Sequence, residues 1–346
     1  MFREEMCIYE HSELSQRICL RALTCFLSKE QGFFRLFAVG VKSLRYSLVK
    51  VFHWDWLEWE NKRIARKISS LGYDAVVATS EGQPTEWARH VVGCQKFLWI
   101  HNDYAHEPPK NIERMRRCVQ EFDTIICVAE HVCRAFITIF SECANKTVSL
   151  YNIVNDKEIV KKANEEIGHD VNFDTTEFSI LSIGRYNESP KHFSIIPRIC
   201  SDLMRKGYKH FHWYLIGSGS AAEKAIITES IHKYRMEDKV ILLGEKGNPY
   251  PYLNKCSLFA LTSRYEAYPT VINEALTLGT PIITTNFDGV NELVTEDVAI
   301  ISPIDEFSDK IEMVMKQFED RKMNRRSRDF TIHNRVVTEK FEQLIR

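Results

Sequence analysis

Two cations and two carboxylates in this chain have the types and spacing to act on a bound anion. Arg185 directly follows the apolar run FSILSIG (178 to 184), and Lys191 comes six residues later, just after Pro190. Beside a turn at Gly184 these two can clamp an anion, or they can be ordinary exposed charges. Further along, Ser263-Arg264-Tyr265-Glu266-Ala267-Tyr268-Pro269 leads into a helix that starts near Pro269 and ends at Gly279 and Pro281. Its first N–H groups, near Thr270 and Val271, would face the edge of a sheet, and a helix N-terminus attracts phosphate. Glu274 shares a face with Thr270 one turn inside that helix, placed to accept hydrogen bonds from ribose hydroxyls rather than to meet the phosphate. Glu266, in the loop before it, would face whatever hangs from the phosphate. His101 closes another apolar run, KFLWI (96 to 100), and at a strand terminus it can position or polarise a hydroxyl, or serve as a structural residue. His106, His210, His212 and the remaining histidines lack ligand spacing and read as structural or surface residues.

These residues need elements to hold them. From Phe178 onward the short apolar runs 178–184, 211–217, 239–244, 257–262, 281–285 and 298–302 have the character of buried parallel strands. Helical stretches around 190–206, 221–235, 269–278 and 304–319 separate them. Strict alternation of strand and helix predicts a doubly wound α/β domain, in which ligands bind beyond the carboxyl ends of the strands. The same alternation, looser, runs through 74–79, 96–100, 123–128 and 147–151. Charged, polar residues 153–177, with a helix-like piece at 157–166, read as a linker. The expected order is therefore a first α/β domain with a helical leader (1–152), the linker, a second α/β domain (178–330) and a final helix (331–346) packing back toward the first domain.

Residues 1–72 depart from this alternation and read as helices. Within them, 31–56 mixes aromatics with Arg35, Lys42, Arg45 and Lys50. Two readings stand: an amphipathic surface lying on a membrane that carries anionic lipid, or helices packed on the first domain with basic residues outward.

Composition sets outer limits. The chain has 346 residues with 46 Lys plus Arg against 47 Asp plus Glu, a formal net charge of -1, and is 44% hydrophobic. That excludes disorder and a small disulfide scaffold, and argues against a nucleic-acid binder, which needs a concentrated basic surface. No two of the ten cysteines are three apart, which excludes a zinc ribbon or a Cys-x-x-Cys pair. They read as reduced core residues of a cytoplasmic protein. The start has no signal-peptide core, and no apolar run is long enough to span a bilayer.

With the SRYE strand exit and EALTLGTPIITT on either side, Glu266 and Glu274 make an E-x7-E pattern. Here the chain resembles the retaining glycosyltransferases of family 4, most closely in appearance those that build bacterial capsular and surface polysaccharides. Arg185 and Lys191 in GRYNESPK, LLGEKGNPYPYL (242 to 253) and the strand-end His101 match further family motifs. The resemblance covers about residues 74–335 and is densest in 178–295. It implies the GT-B fold, two Rossmann-like domains facing a cleft, here with an N-terminally abbreviated first domain. It implies transfer of a sugar from a nucleotide-diphosphate sugar, in particular a UDP-sugar, to a glycan or lipid-linked glycan, with no metal and no other cofactor. Arg185 and Lys191 would hold the diphosphate and neutralise the leaving charge. Glu274 would bind the ribose and Glu266 the sugar hydroxyls. Backbone groups from Gly244 through Gly247 to Asn248 would meet the base, and the amides of Ala267, Tyr268, Pro269, Thr270 and Val271 would cradle the phosphates. His101 would stand near the donor sugar.

Two features depart from the family pattern. Ala267 replaces a usual Gly, and the family's opening strand, Gly-rich loop and helix do not show in residues 1–72. The second departure supports an alternative, a non-catalytic or truncated GT-B subunit that binds nucleotide or a partner enzyme. The expected location is the cytoplasm or, with the membrane reading of 31–56, the inner face of the membrane.

Overall fold

The computed structural model describes residues 56–167, 177–319, 325 and 327–345. The amphipathic reading of 31–56 and the helices expected before Trp56 lie outside the described residues.

The first half of the chain runs α1 (Trp56–Ser69), β1 (Ala75–Ala78), α2 (Gln83–Ala88), β2 (Gln95–Ile100), α3 (Pro109–Arg116), β3 (Thr124–Cys127), α4 (Glu130–Ile139) and β4 (Thr147–Ser149). Its strands form one sheet in the order β1-β2-β3-β4. Ala75 to Ala78 pair in parallel with Gln95 to Leu98, and Ile125 to Cys127 with Thr147 to Ser149. α5 (Asp156–Ala163) follows. By compactness the described residues up to 98 group with 118–123, and 99–117 group with those from 124 onward.

The second half continues with β5 (Phe178–Ile183), α6 (Glu188–Lys191), α7 (Ile196–Arg205), β6 (Phe211–Ile216), α8 (Ala221–Tyr234), β7 (Val240–Gly244), α9 (Tyr250–Lys255) and β8 (Leu258–Leu261). It ends with α10 (Thr270–Leu278), β9 (Ile282–Thr285), α11 (Val290–Leu293), β10 (Ile300–Ser302), α12 (Phe307–Glu319) and α13 (Thr331–Ile345). All six expected strands form, and they make one parallel sheet in the order β10-β9-β8-β5-β6-β7. The chain thus winds outward from β5 through β6 to β7, then returns to β8 on the other side of β5. The winding reverses between β5 and β8, and a doubly wound sheet opens its ligand crevice at such a switch point.

Alternation along the strands builds one core on each face. Ile180, Trp213, Leu215, Leu258, Ala260 and Ile283 turn to one side, where Ile196, Ile199, Cys200 and Leu203 of α7 cover them. Leu181, Tyr214, Ile216, Phe259, Leu261 and Ile282 turn to the other, toward Ile272, Ala275 and Leu276 of α10. Val154 and Ile159 join this second core, so the stretch whose polarity reads as a connector is packed through two apolar residues. The helix expected over 190–206 is two pieces, α6 and α7, and the break falls at His192, whose φ is 52°. Pro269 stands as the N-cap of α10 rather than inside its first turn, and Gly279, in the left-handed conformation at φ 65°, ends the helix. All seven cysteines among the described residues are free, and six are buried. No helix among the described residues is long and apolar enough to cross a membrane.

Gly217-Ser218-Gly219 packs directly against the exit of β5. A Cβ on Gly217, whose φ is 152°, would stand 1.9 Å from the Gly184 carbonyl oxygen, and one on Gly219 would stand 2.4 Å from that of Tyr186. The Tyr186 N–H donates to the Ser218 carbonyl at 2.7 Å. These glycines are explained by backbone approach. Gly217→Ala is expected to cost about 3 kcal/mol in chemical denaturation, because a rigid backbone atom must move to admit the methyl.

Candidate functional site

The loops after β5 and β8 flank the switch point and carry the expected charges. Gly184 ends β5, its N–H donating to the Ile216 carbonyl at 3.0 Å. The Lys191 stem runs over it, and a Cβ on Gly184 would meet Lys191 Cε at 3.2 Å. Arg185 is exposed and makes no hydrogen bond or ion pair among the described residues. Lys191, at the end of α6, reaches across the switch point, and its Nζ donates to Glu266 Oε1 at 2.5 Å. The two side chains are only 17% and 12% exposed, so the pair is shielded from bulk water. Ser263 Oγ donates to the same carboxylate oxygen at 2.6 Å. The loops are also tied by backbone, with Arg264 N–H donating to the Pro190 carbonyl at 2.7 Å and Thr262 Oγ1 to the Lys191 carbonyl at 2.8 Å.

α10 starts where the β8 loop ends, so the N–H groups of Thr270 and Val271 belong to its first turn and lack intrahelical acceptors. Ala267 does not have a positive φ; among the described residues only His192 and Arg235 do so without being glycine. The methyl at 267 therefore adds no backbone strain. The Tyr268 hydroxyl accepts a hydrogen bond from Asn273 Nδ2 at 3.0 Å.

Burial pushes the Glu274 carboxyl from its ordinary 4.5 up to about 7, with the Thr270 hydroxyl working the other way. The folded state thus binds more protons than the unfolded chain between those values, so this group's contribution to stability falls as pH rises through that interval. Denaturation from pH 5 to 8 should lose roughly 2 kcal/mol through this group, and Glu274→Gln should flatten the profile by that amount.

At the end of β7, Gly244 has a φ of 69°, and neither Gly244 nor Gly247 has a heavy atom within 4 Å of the place a Cβ would occupy. This leaves open space in front of the loop backbone. Asn248 instead ties the loop to α5 and α9. Its Nδ2 donates to the Lys162 carbonyl at 2.9 Å and to Glu165 at 2.8 Å, and its Oδ1 accepts from Tyr250 N–H at 3.1 Å.

His101 follows β2 with its ring stacked on Trp99, centroids 6.3 Å apart. Phe341 of α13 lies against the same Trp99 at 5.7 Å, and Asn334 exchanges two hydrogen bonds with Val154. His106, read from sequence as a structural or surface residue, is half exposed and stacks on Tyr265 at 3.9 Å.

A second cluster escapes the sequence reading. Glu292 of α11 accepts the N–H groups of Glu130 and His131 at 2.7 and 2.8 Å, at the N-terminus of α4, and the Tyr151 hydroxyl at 3.1 Å. Burial opposes its ionisation, but the two backbone donors and the His131 imidazole together hold its carboxyl below the usual range. His131 is 7% exposed, with Nδ1 3.2 Å from Glu292 Oε1 and Nε2 3.1 Å from the Glu266 carbonyl oxygen. The signal available in sequence was position: both residues follow strand ends, in ICVAEH and TTNFDGVNE.

A cavity of about 820 Å³ lies among Leu258, Ile282, Glu292, Ile300 and Arg328, and no residue predicted from sequence lines it.

Against known proteins, residues 163–329 match the family described as glycosyl transferases group 1. That match takes in 167 of the 346 residues. All the predicted site residues except His101 fall within it. Over 191 residues the chain is 28% identical to the Campylobacter jejuni N-acetylgalactosamine-N,N'-diacetylbacillosaminyl-diphospho-undecaprenol 4-alpha-N-acetylgalactosaminyltransferase, covering 54% of this chain and 48% of that protein. It is 29% identical over 125 residues to the amylovoran biosynthesis glycosyltransferase AmsD of Erwinia amylovora, covering 35% and 33%. The chain thus spans half or less of the length of these relatives. In structure it resembles Anabaena HepE in complex with UDP and glucose, at a TM-score of 0.62 and 17% identity over 80% of each chain. TarM gives 0.63 and 16%, over 82% of this chain and 57% of that one. The fold is GT-B, as expected.

Proposed function

We propose that this chain transfers a sugar from a nucleotide-diphosphate sugar, in particular a UDP-sugar, to a glycan or lipid-linked glycan, with retention of anomeric configuration, as in surface polysaccharide assembly. One observation carries the reading: at the switch point of the sheet, within the residues that match the glycosyl transferase family, Lys191 and Glu266 meet at 2.5 Å, and the first turn of α10 follows Glu266 in sequence. In the ligand-free site Lys191 is held by a carboxylate. A diphosphate would compete for that ammonium, with Arg185 as a second cation and the α10 amides as hydrogen-bond donors. As the sugar departs, negative charge grows on the diphosphate, and fixed cations there stabilise the transition state more than the ground state. Glu266, released from Lys191, is free to accept hydrogen bonds from sugar hydroxyls. Two side-chain cations and a helix end supply the neutralisation without a metal. Glu274 takes the ribose, the open backbone of 244–247 the base, and His101 a position beside the sugar.

The relatives support this choice of substrates, one being named for a diphospho-undecaprenol glycan and another having a structure that holds UDP and glucose. Titration calorimetry with UDP and a panel of UDP-sugars tests donor binding, and absence of heat at millimolar ligand would sink the proposal. NMR of the product tests retention, an inverted anomeric carbon being the contrary result.

A further inference from the structure

We propose that His131 is a positioning residue: it fixes the height of the Glu266 loop and hence the meeting of Glu266 with Lys191. The inference rests on the functional reading above for its effect on turnover, but its geometric claim stands by itself. The His131 imidazole is the sole hydrogen-bond partner of the Glu266 main chain among the described residues, at 3.1 Å. Its own orientation is locked from behind. Glu292 accepts the His131 N–H and faces Nδ1 through Oε1, while Oε2 accepts from Glu130 N–H and the Tyr151 hydroxyl. The ring also fills a slot that only glycine leaves open, since a Cβ on Gly289, at φ 81°, would stand 2.0 Å from Nδ1.

Both ring nitrogens face oxygen acceptors, a carboxylate and a carbonyl. A carbonyl oxygen only accepts, so Nε2 is the nitrogen that donates to Glu266. The chain of contacts runs from the α4 N-terminus through Glu292 and His131 to the Glu266 carbonyl, and from the Glu266 carboxylate to Lys191. Loss of the imidazole donor leaves the Glu266 peptide without a partner and lets the loop relax. A carboxylate displaced by about 1 Å from the reacting sugar loses on the order of 10²-fold in rate.

The test compares wild type, H131F, which keeps a ring without a donor, and H131Q, which keeps a distal N–H. Three measurements are needed: ligand-free crystal structures, calorimetry with UDP, and UDP release from the UDP-sugar that wild type turns over. In H131F the Lys191 to Glu266 contact should lengthen, turnover should fall about 10²-fold, and UDP affinity should stay within about twofold, because UDP lacks the sugar that Glu266 addresses. H131Q should regain most of the turnover and restore the contact. The inference is overturned by an unmoved contact in H131F, by equal impairment of both variants, or by loss of UDP affinity in step with turnover. Wild type that releases no UDP from any sugar nucleotide would instead sink the functional reading, and the ligand-free H131F structure would still decide the positioning claim.

Discussion

Lys191→Ala should abolish sugar transfer for practical purposes, lowering kcat by on the order of 10³-fold, as expected when a preorganised charge at the leaving group is removed. Its ammonium reaches across the switch point from the β5 loop to Glu266 on the β8 loop, over the bare backbone of Gly184. UDP affinity should weaken as well, though less than kcat, because the charge on the diphosphate is greatest once the sugar has begun to leave. The variant should remain folded. Glu266 keeps the Ser263 hydroxyl, and the two loops keep their backbone tie between Arg264 and Pro190. Turnover within about fivefold of wild type, with the fold intact by circular dichroism, would remove Lys191 from the machinery and the proposed mechanism with it.

A stability effect as large as that of Gly217→Ala should come from a residue that need not touch substrate at all. Glu292→Ala strands the Glu130 and His131 N–H groups, the His131 imidazole and the Tyr151 hydroxyl, all of which turn toward that one carboxylate. Four donors left without an acceptor, those of His131 buried, should cost about 3 kcal/mol, seen as a lower midpoint in denaturant. Glu292→Gln keeps two acceptor lone pairs and the shape, so it should lose less. The depressed carboxyl adds a pH signature: its stabilisation is present above the ordinary carboxylate value and is lost as pH falls through the folded one. Glu274 has the opposite sign, its burden appearing as pH rises toward 7. Of these two groups, Glu292→Gln should soften the acid limb of the stability profile and Glu274→Gln the neutral one. If Glu292→Ala proved neutral in denaturant, the network at the α4 N-terminus would be incidental packing.

Most of the second half of the fold was legible because its strands are buried on both faces, and a strand so placed reads as a short uninterrupted apolar run. FSILSIG, FHWYLIG and SLFALT each gave a strand within a residue or two of its place. Short helices such as α9 and α11, of six and four residues, had no room to develop a period and could not be read. The break between α6 and α7 was hidden for a related reason, since the apolar spacing continues across His192 while only its positive φ interrupts the helix.

At the site, sequence determined the kinds of residue and their place at strand ends: Arg185 and Lys191 after one strand, Glu266 and Glu274 around the helix after another. Local spacing suffices there, because a strand followed by a helix fixes where the intervening loop lies. Only the tertiary structure decided that the β5 and β8 loops are neighbours, since strand order in a parallel sheet is set by packing between segments some eighty residues apart. That order brought Lys191 onto Glu266, put Gly217 against the Gly184 carbonyl, and joined His131 to Glu292 across 161 residues of chain. A lone histidine on a helix and a lone glutamate in a turn carry no signal in sequence, because their meaning lies in a hydrogen bond that exists only once the chain has folded.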